Sequence, residues 1–305
     1  METLIRVLET ALPVFLTLAI GMLCRTKNIL TREGVAQMKS VAVNIALPAV
    51  LFSAFATAEY SRESIAIPLV IFAICCAALA LGFLLVKAFR TPGKLTPFLF
   101  TGFEAGMLGY GLFALLFKGE PNSSFAIIDL GQVLFVFTVY KMLLCGRGNL
   151  KAALHDALVS PVLWAIVAGL LFGATGLYDA LKPSGVSGVL DSIAGFIAAP
   201  TSVLILISIG YDLIPGEIRW RKTAAIVGLR VLIMGAMLGV ALLVNRLLLG
   251  GAMHTGALVL MFILPPPYVL PVFADAGDER ANISSALSVL TLLSIALFAV
   301  MSAVI

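Results

Sequence analysis

The sequence predicts an all-α membrane protein of ten transmembrane helices, laid out as two inverted five-helix repeats in which helices 4 and 9 are broken and cross. Three observations carry this prediction. With 61% hydrophobic and 12% charged residues over 305 positions, and a mean hydropathy of +1.10, the chain is too apolar for a water-soluble globule and belongs in a bilayer. Helix breakers fall inside two apolar stretches, as Gly102-Phe-Glu-Ala-Gly106-Met-Leu-Gly109-Tyr-Gly111 and as Pro265-Pro-Pro267 followed by Pro271. The halves also echo one another: Leu12-Pro-Val-Phe-Leu-Thr-Leu-Ala-Ile-Gly21 reads like Ser160-Pro-Val-Leu-Trp-Ala-Ile-Val-Ala-Gly169, and Pro48 matches Pro200.

About 20 apolar residues are needed to cross a ~30 Å hydrocarbon core as a helix. The first span, Val7 to Cys24, follows a flank with Glu2, Arg6 and Glu9; that mixed leader is unlike the basic start of a cleaved signal peptide. Ser40 to Ala58 is the second, and Ser64 to Val86 the third, charge-free and of full length. The fourth, Leu95 to Phe117, holds one charge, Glu104, and the fifth, Ser123 to Tyr140, holds Asp129. Ala157 to Tyr178 and Ser192 to Tyr211 are charge-free sixth and seventh spans; Thr223 to Asn245, the eighth, carries Arg230. Thr255 to Ala274 and Ala281 to Ile305 complete the set. The loops are short, so the chain reads as one membrane domain over residues 1–305, with repeat one at 1–145 and repeat two at 155–305.

Lys and Arg counts orient the chain. After the odd-numbered spans lie Arg25, Lys27, Arg32, Lys39, Lys87, Arg90, Lys94, Lys141, Arg147, Lys151, Arg219, Arg221, Lys222 and Arg280; the other side has Arg6, Arg62, Lys118, Lys182 and Arg246. Positive residues favour the cytoplasm, which places both termini outside a multi-pass protein of the cell membrane. A repeat of five spans then enters its second copy upside down, the symmetry used for alternating access.

Glycine and proline at bilayer depth leave backbone groups unpaired, which lipid does not tolerate, so such segments line a protein-enclosed cavity. At 1.5 Å per residue, Glu104 lies roughly 13 Å in from one side and Pro265 roughly 15 Å in from the other, both near the midplane. Paired interruptions of this kind mark the substrate site of a secondary transporter. The candidate binding residues are Asn44, Glu104, Gly106, Gly109, Tyr110, Gly111, Pro265, Pro266, Pro267 and Tyr268.

Each has a functional and a plainer reading. Glu104 is a proton or cation site, or a carboxyl bonded to nearby backbone; an acid at midplane costs at least ~2.5 kcal/mol, which favours function. In Gly106 to Gly111 the glycine density suggests unwound backbone, whereas Gly235-x-x-x-Gly239 reads as close helix packing. The three prolines lack N–H groups and bar the α conformation before them. Tyr268 offers a hydroxyl to a ligand or simply packs, and Asn44 reaches toward the crossing or bonds a local carbonyl. Arg230 reads chiefly as a snorkelling residue near a basic end. Asp129 and Gln132 read as part of a water-exposed helix start.

Cys24, Cys75, Cys76 and Cys145 show no C-x-x-C spacing, and His155 and His254 are the only histidines. They suggest apolar fillers, with no metal site and no cofactor. Neither a phosphate loop nor an H-E-x-x-H motif is present, which leaves ATP-driven pumping and zinc proteolysis unsupported. The net charge of +4 reports topology rather than nucleic-acid binding.

Asn44-Ile-Ala-Leu-Pro-Ala-Val-Leu-Phe, Glu104-Ala-Gly-Met-Leu-Gly109-Tyr-Gly-Leu and Leu264-Pro-Pro-Pro-Tyr together resemble the auxin efflux carrier family, whose bacterial members include malonate transporters. The resemblance implies a homodimer in lipid, a scaffold part supporting a transport part with two crossing broken helices, and carboxylate substrates. In the family's Asn-x-Gly-x-x-Gly-x-Pro motif, Glu104 stands here at the Asn position and Gly111 at the Pro position. The expected activity is therefore movement of a small organic anion, proton-coupled through Glu104. A sodium-coupled or cation-binding carrier of the bile-acid-symporter-like type is the alternative. Enzyme and receptor readings rank below both, since Glu104 has no evident catalytic partner and no signalling domain is visible.

Overall fold

The computed structural model describes residues 2–58, 60, 62–89, 93–145, 158–213, 220–270 and 279–304. Pro271, His155, Arg90, Arg147, Lys151 and Arg219 lie outside the described residues. Every regular element among them is helical. In chain order these are α1 (Glu2–Thr26), α2 (Arg32–Ala56), α3 (Arg62–Ala88), α4 (Tyr110–Leu116), α5 (Ser123–Leu144), α6 (Pro161–Ala174), α7 (Leu177–Ala180), α8 (Val186–Ala198), α9 (Thr201–Asp212), α10 (Trp220–Leu247), α11 (Thr255–Ile263) and α12 (Arg280–Val304).

Six helical stretches among the described residues are long and apolar enough to cross a membrane: Arg32–Ala56, Ile65–Ala88, Ser123–Leu144, Val186–Asp212, Thr223–Leu247 and Asn282–Val304. Ala11–Thr26 and Pro161–Ala174 are shorter apolar helices. Two stretches expected at full length are thus curtailed. The helix in Ala157 to Tyr178 starts with Pro161, where its missing N–H costs nothing, and stops before Gly176, whose φ of +69° terminates the turn. The helix beginning at Thr255 stops at Ile263, ahead of the prolines.

Small residues set how closely the helices approach. A Cβ at Gly21 of α1 would lie 2.2 Å from the Ile207 carbonyl of α9, and one at Gly210 of α9 would lie 2.1 Å from the Leu18 carbonyl of α1. The same arrangement joins α6 to α2, where a Cβ at Gly169 would lie 2.8 Å from the Phe52 carbonyl. These contacts are backbone on backbone, the close packing that small residues permit between membrane helices. Gly235 and Gly239 make no such approach among the described residues: a Cβ at either meets nothing within 4 Å, and Gly235 borders a cavity shared with α11 and α12. The most buried aromatic side chains, including Phe100, Phe103, Phe113, Phe125, Phe135 and Tyr140, gather around the stretch between α3 and α5.

Candidate functional site

Two non-helical stretches, residues 101–104 and 264–267, interrupt the apolar sequence and meet in this aromatic core. The approach to the first begins where both oxygens of the Glu279 carboxylate accept the N–H groups of Lys94 and Leu95, at 2.8 and 3.1 Å. One 3-10 turn follows, Thr96–Phe100, and the backbone then extends at Thr101, whose hydroxyl donates to the Cys75 carbonyl at 2.7 Å. Gly102 has φ +67°, and a Cβ there would lie 2.8 Å from Pro267 Cγ. Both its conformation and its contact therefore require glycine.

The second interruption follows α11, whose first turn is capped by His254 Nδ1 accepting from the Ala257 N–H at 2.9 Å. Leu264, at φ −65° and ψ 153°, adopts the extended conformation that a following proline imposes. Pro265, Pro266 and Pro267 are buried. The segments bond across the gap in both directions. The Glu104 N–H donates to the Pro265 carbonyl at 2.8 Å, and a Glu104 carboxylate oxygen accepts the Tyr268 N–H. Glu104 is 6% exposed.

Unwound backbone occupies residues 101–104 rather than Gly106 to Gly111. Ala105–Gly109 forms a wide helical turn leading into α4, with the Gly109 N–H bonded to the Glu104 carbonyl at 3.1 Å. Its glycines admit neighbours: a Cβ would lie 3.1 Å from Leu47 Cδ2 at Gly106, 2.7 Å from Phe125 Cζ at Gly109 and 2.5 Å from Ser202 Oγ at Gly111. Tyr110 donates its hydroxyl to Asp129 Oδ2 of α5 at 3.1 Å. The Tyr268 hydroxyl pairs with Thr291 Oγ1 of α12 at 2.6 Å. Asn44 is exposed and donates to Ser40 Oγ at 3.1 Å.

Three residues sit differently from the sequence reading. Asp129 and Gln132 are not at a water-exposed helix start; they are 2% and 5% exposed on the face of α5 turned to the first interruption. Gln132 Nε2 donates to the Phe103 carbonyl at 3.0 Å and to Asp129 Oδ1 at 3.2 Å, which ties α5 to the unwound strand. Gln132 Oε1 is buried with no hydrogen-bond partner among the described residues. Arg230 does not snorkel. It is 2% exposed, and its guanidinium donates to the carbonyls of Leu99 at 2.7 Å, Gly102 at 2.9 Å and Leu264 at 3.0 Å. Hydrogen bonding to backbone at both interruptions offsets the desolvation that would otherwise drive the charge to the bilayer surface.

A cavity of about 730 Å³ lies elsewhere, at the start of α5 and the loop before α11, lined by Thr57, Ser123, Ser124 and His254 among others. A smaller one of about 140 Å³ borders Arg230, Gly235, Leu264 and Ser294. No group of three or more His, Cys, Asp or Glu capable of holding a metal occurs among the described residues.

Residues 6–144 match a family described as membrane transport protein. Along nearly the whole chain, 297 residues are 26% identical to an uncharacterized transporter of Methanothermobacter thermautotrophicus, covering 94% of each sequence. The chain is thus similar to membrane transport proteins over its first part and to this transporter over 94% of its length.

Proposed function

We propose that the chain is a secondary transporter that moves a small organic anion by alternating access about the meeting of its two interrupted segments, with Glu104 carrying the coupling proton. The observation that carries the reading is the reciprocal bond pair between Glu104 and the Pro265–Tyr268 segment, at the place where Arg230 supplies a buried positive charge. Non-helical backbone enclosed at bilayer depth is characteristic of transporter binding sites. A fixed guanidinium nearby attracts an anion, and an ionisable carboxyl beside it can change charge during the cycle.

Ten spans with both termini outside, arranged as inverted repeats, remain the layout of this reading. Gly21 and Gly169 hold matching places in the two motif copies, and the helix pairs they join, α1 with α9 and α6 with α2, exchange under the repeat. This supports the symmetry. A homodimer and carboxylate substrates are carried over from the family resemblance. Counterflow of labelled mono- and dicarboxylates in proteoliposomes tests the function: saturable exchange of at least one is expected, and binding without turnover would favour a receptor.

A further inference from the structure

We infer that Arg230 is a tethered cation filling the carbonyl cage that a free coupling cation would occupy, so that this carrier works without sodium. Its three acceptors all belong to interrupted helical backbone. Leu99 lies in the turn before the first gap, Gly102 is in the gap itself, and Leu264 caps the end of α11. Carbonyls at the C-terminal ends of half-helices carry the negative end of the helix dipole, and in transporters such oxygens and unwound carbonyls coordinate sodium. Here two guanidinium nitrogens gather three of them within 3.0 Å.

A guanidinium stays protonated throughout the physiological range, and its planar fork holds several oxygens in a fixed geometry from one side chain. A sodium ion about 4 Å from it would meet repulsion on the order of several hundredfold in binding at an effective dielectric of 20. Because Arg230 is covalently fixed in α10, its charge holds the two segments together at every stage and is never released to either side. The cavity of about 140 Å³ alongside it gives water and a small cation room if the side chain is removed.

The inference rests on the proposed transport role for the meaning of the site, but its test needs no substrate. Purified protein is unfolded by heat in sodium, potassium or choline chloride at equal ionic strength. Wild type is expected to unfold at one temperature in all three. Arg230→Ala is expected to unfold lower in choline and to gain a saturable rise on the order of a few degrees with sodium or potassium; Arg230→Lys, which keeps a charge, is expected to show no such rise. Saturable stabilisation of wild type by sodium overturns the inference, as does a folded Arg230→Ala indifferent to all three salts. Should Arg230→Ala not fold, wild type and Arg230→Lys decide: indifference of both to sodium supports the tethered cation, and a sodium response in either rejects it. Failure of every carboxylate to exchange in proteoliposomes would count against the transport reading alone.

Discussion

Glu104 and Tyr268, 164 positions apart, are joined through the carboxylate of one and the backbone N–H of the other, while the Glu104 N–H holds the Pro265 carbonyl. The carboxylate thus does for the second interruption what a helical ladder would have done. Replacing Pro265, Pro266 and Pro267 together with Ala would let α11 extend past Ile263 and withdraw the Tyr268 N–H from Glu104. Uptake is expected to fall at least tenfold with the protein still folded, and near-normal uptake would show that the interruption is dispensable.

Gly102 is the tightest point of the first interruption. Gly102→Ala forces a side chain into φ +67° and toward Pro267 Cγ, at a cost of about 1–3 kcal/mol for the backbone alone. The melting temperature should drop by several degrees, whereas Gly235→Ala, with nothing within 4 Å, should leave it unchanged or slightly raised. Equal effects at the two positions would contradict the packing described.

The Tyr110 hydroxyl is one of the neutral donors that compensate buried Asp129. Tyr110→Phe removes it and should destabilise by about 1–3 kcal/mol. Asp129→Asn keeps an oxygen for the Tyr110 hydroxyl but turns an NH2 toward Gln132 Nε2, so it loses the other bond and should cost a similar amount. Thermal unfolding of the two variants checks this, and an Asp129→Asn protein as stable as wild type would show that the Gln132 contact is dispensable.

What the sequence revealed and what it hid follow from one distinction. Glu104 and Pro265–Pro267 stand out because a charge and helix breakers conflict with an apolar helix wherever its neighbours lie. Arg230 and Gln132 have an easier local explanation: a long cation near a basic helix end looks able to snorkel, and the amide looks like part of a helix start, until partners 131 and 29 positions away are known. Length was a similarly partial guide. The charge-free stretch from Thr255 yields a nine-residue helix, while Ser123–Leu144 runs long despite Asp129, whose carboxyl is hydrogen-bonded by Tyr110 and Gln132. The Gly235-x-x-x-Gly239 spacing fits a packing motif, yet no atom of the described residues comes within 4 Å of a Cβ at either glycine.

Orientation has a direct test. Lys87 and Lys118 are both exposed and sit at opposite ends of the expected layout. With native cysteines removed, Lys118→Cys should react with an impermeant thiol reagent on intact cells, and Lys87→Cys only after permeabilisation. The reverse pattern would invert the proposed topology and place both termini in the cytoplasm.

The charge of Glu104 sets the transport cycle. A substrate carboxylate about 4 Å from an ionised Glu104 meets repulsion on the order of 4 kcal/mol at an effective dielectric of 20, enough to weaken binding several hundredfold. A loaded carrier therefore needs Glu104 protonated, and a protonated acid can also donate a hydrogen bond to the anion. Glu104→Gln imitates that form and keeps an oxygen to accept the Tyr268 N–H. It should retain binding and exchange while losing accumulation driven by a proton gradient, and wild-type binding should weaken as pH rises and Glu104 ionises. Uptake measured with imposed proton and sodium gradients separates the mechanisms: indifference to protons combined with a requirement for sodium would reject proton coupling at Glu104 and the tethered cation together.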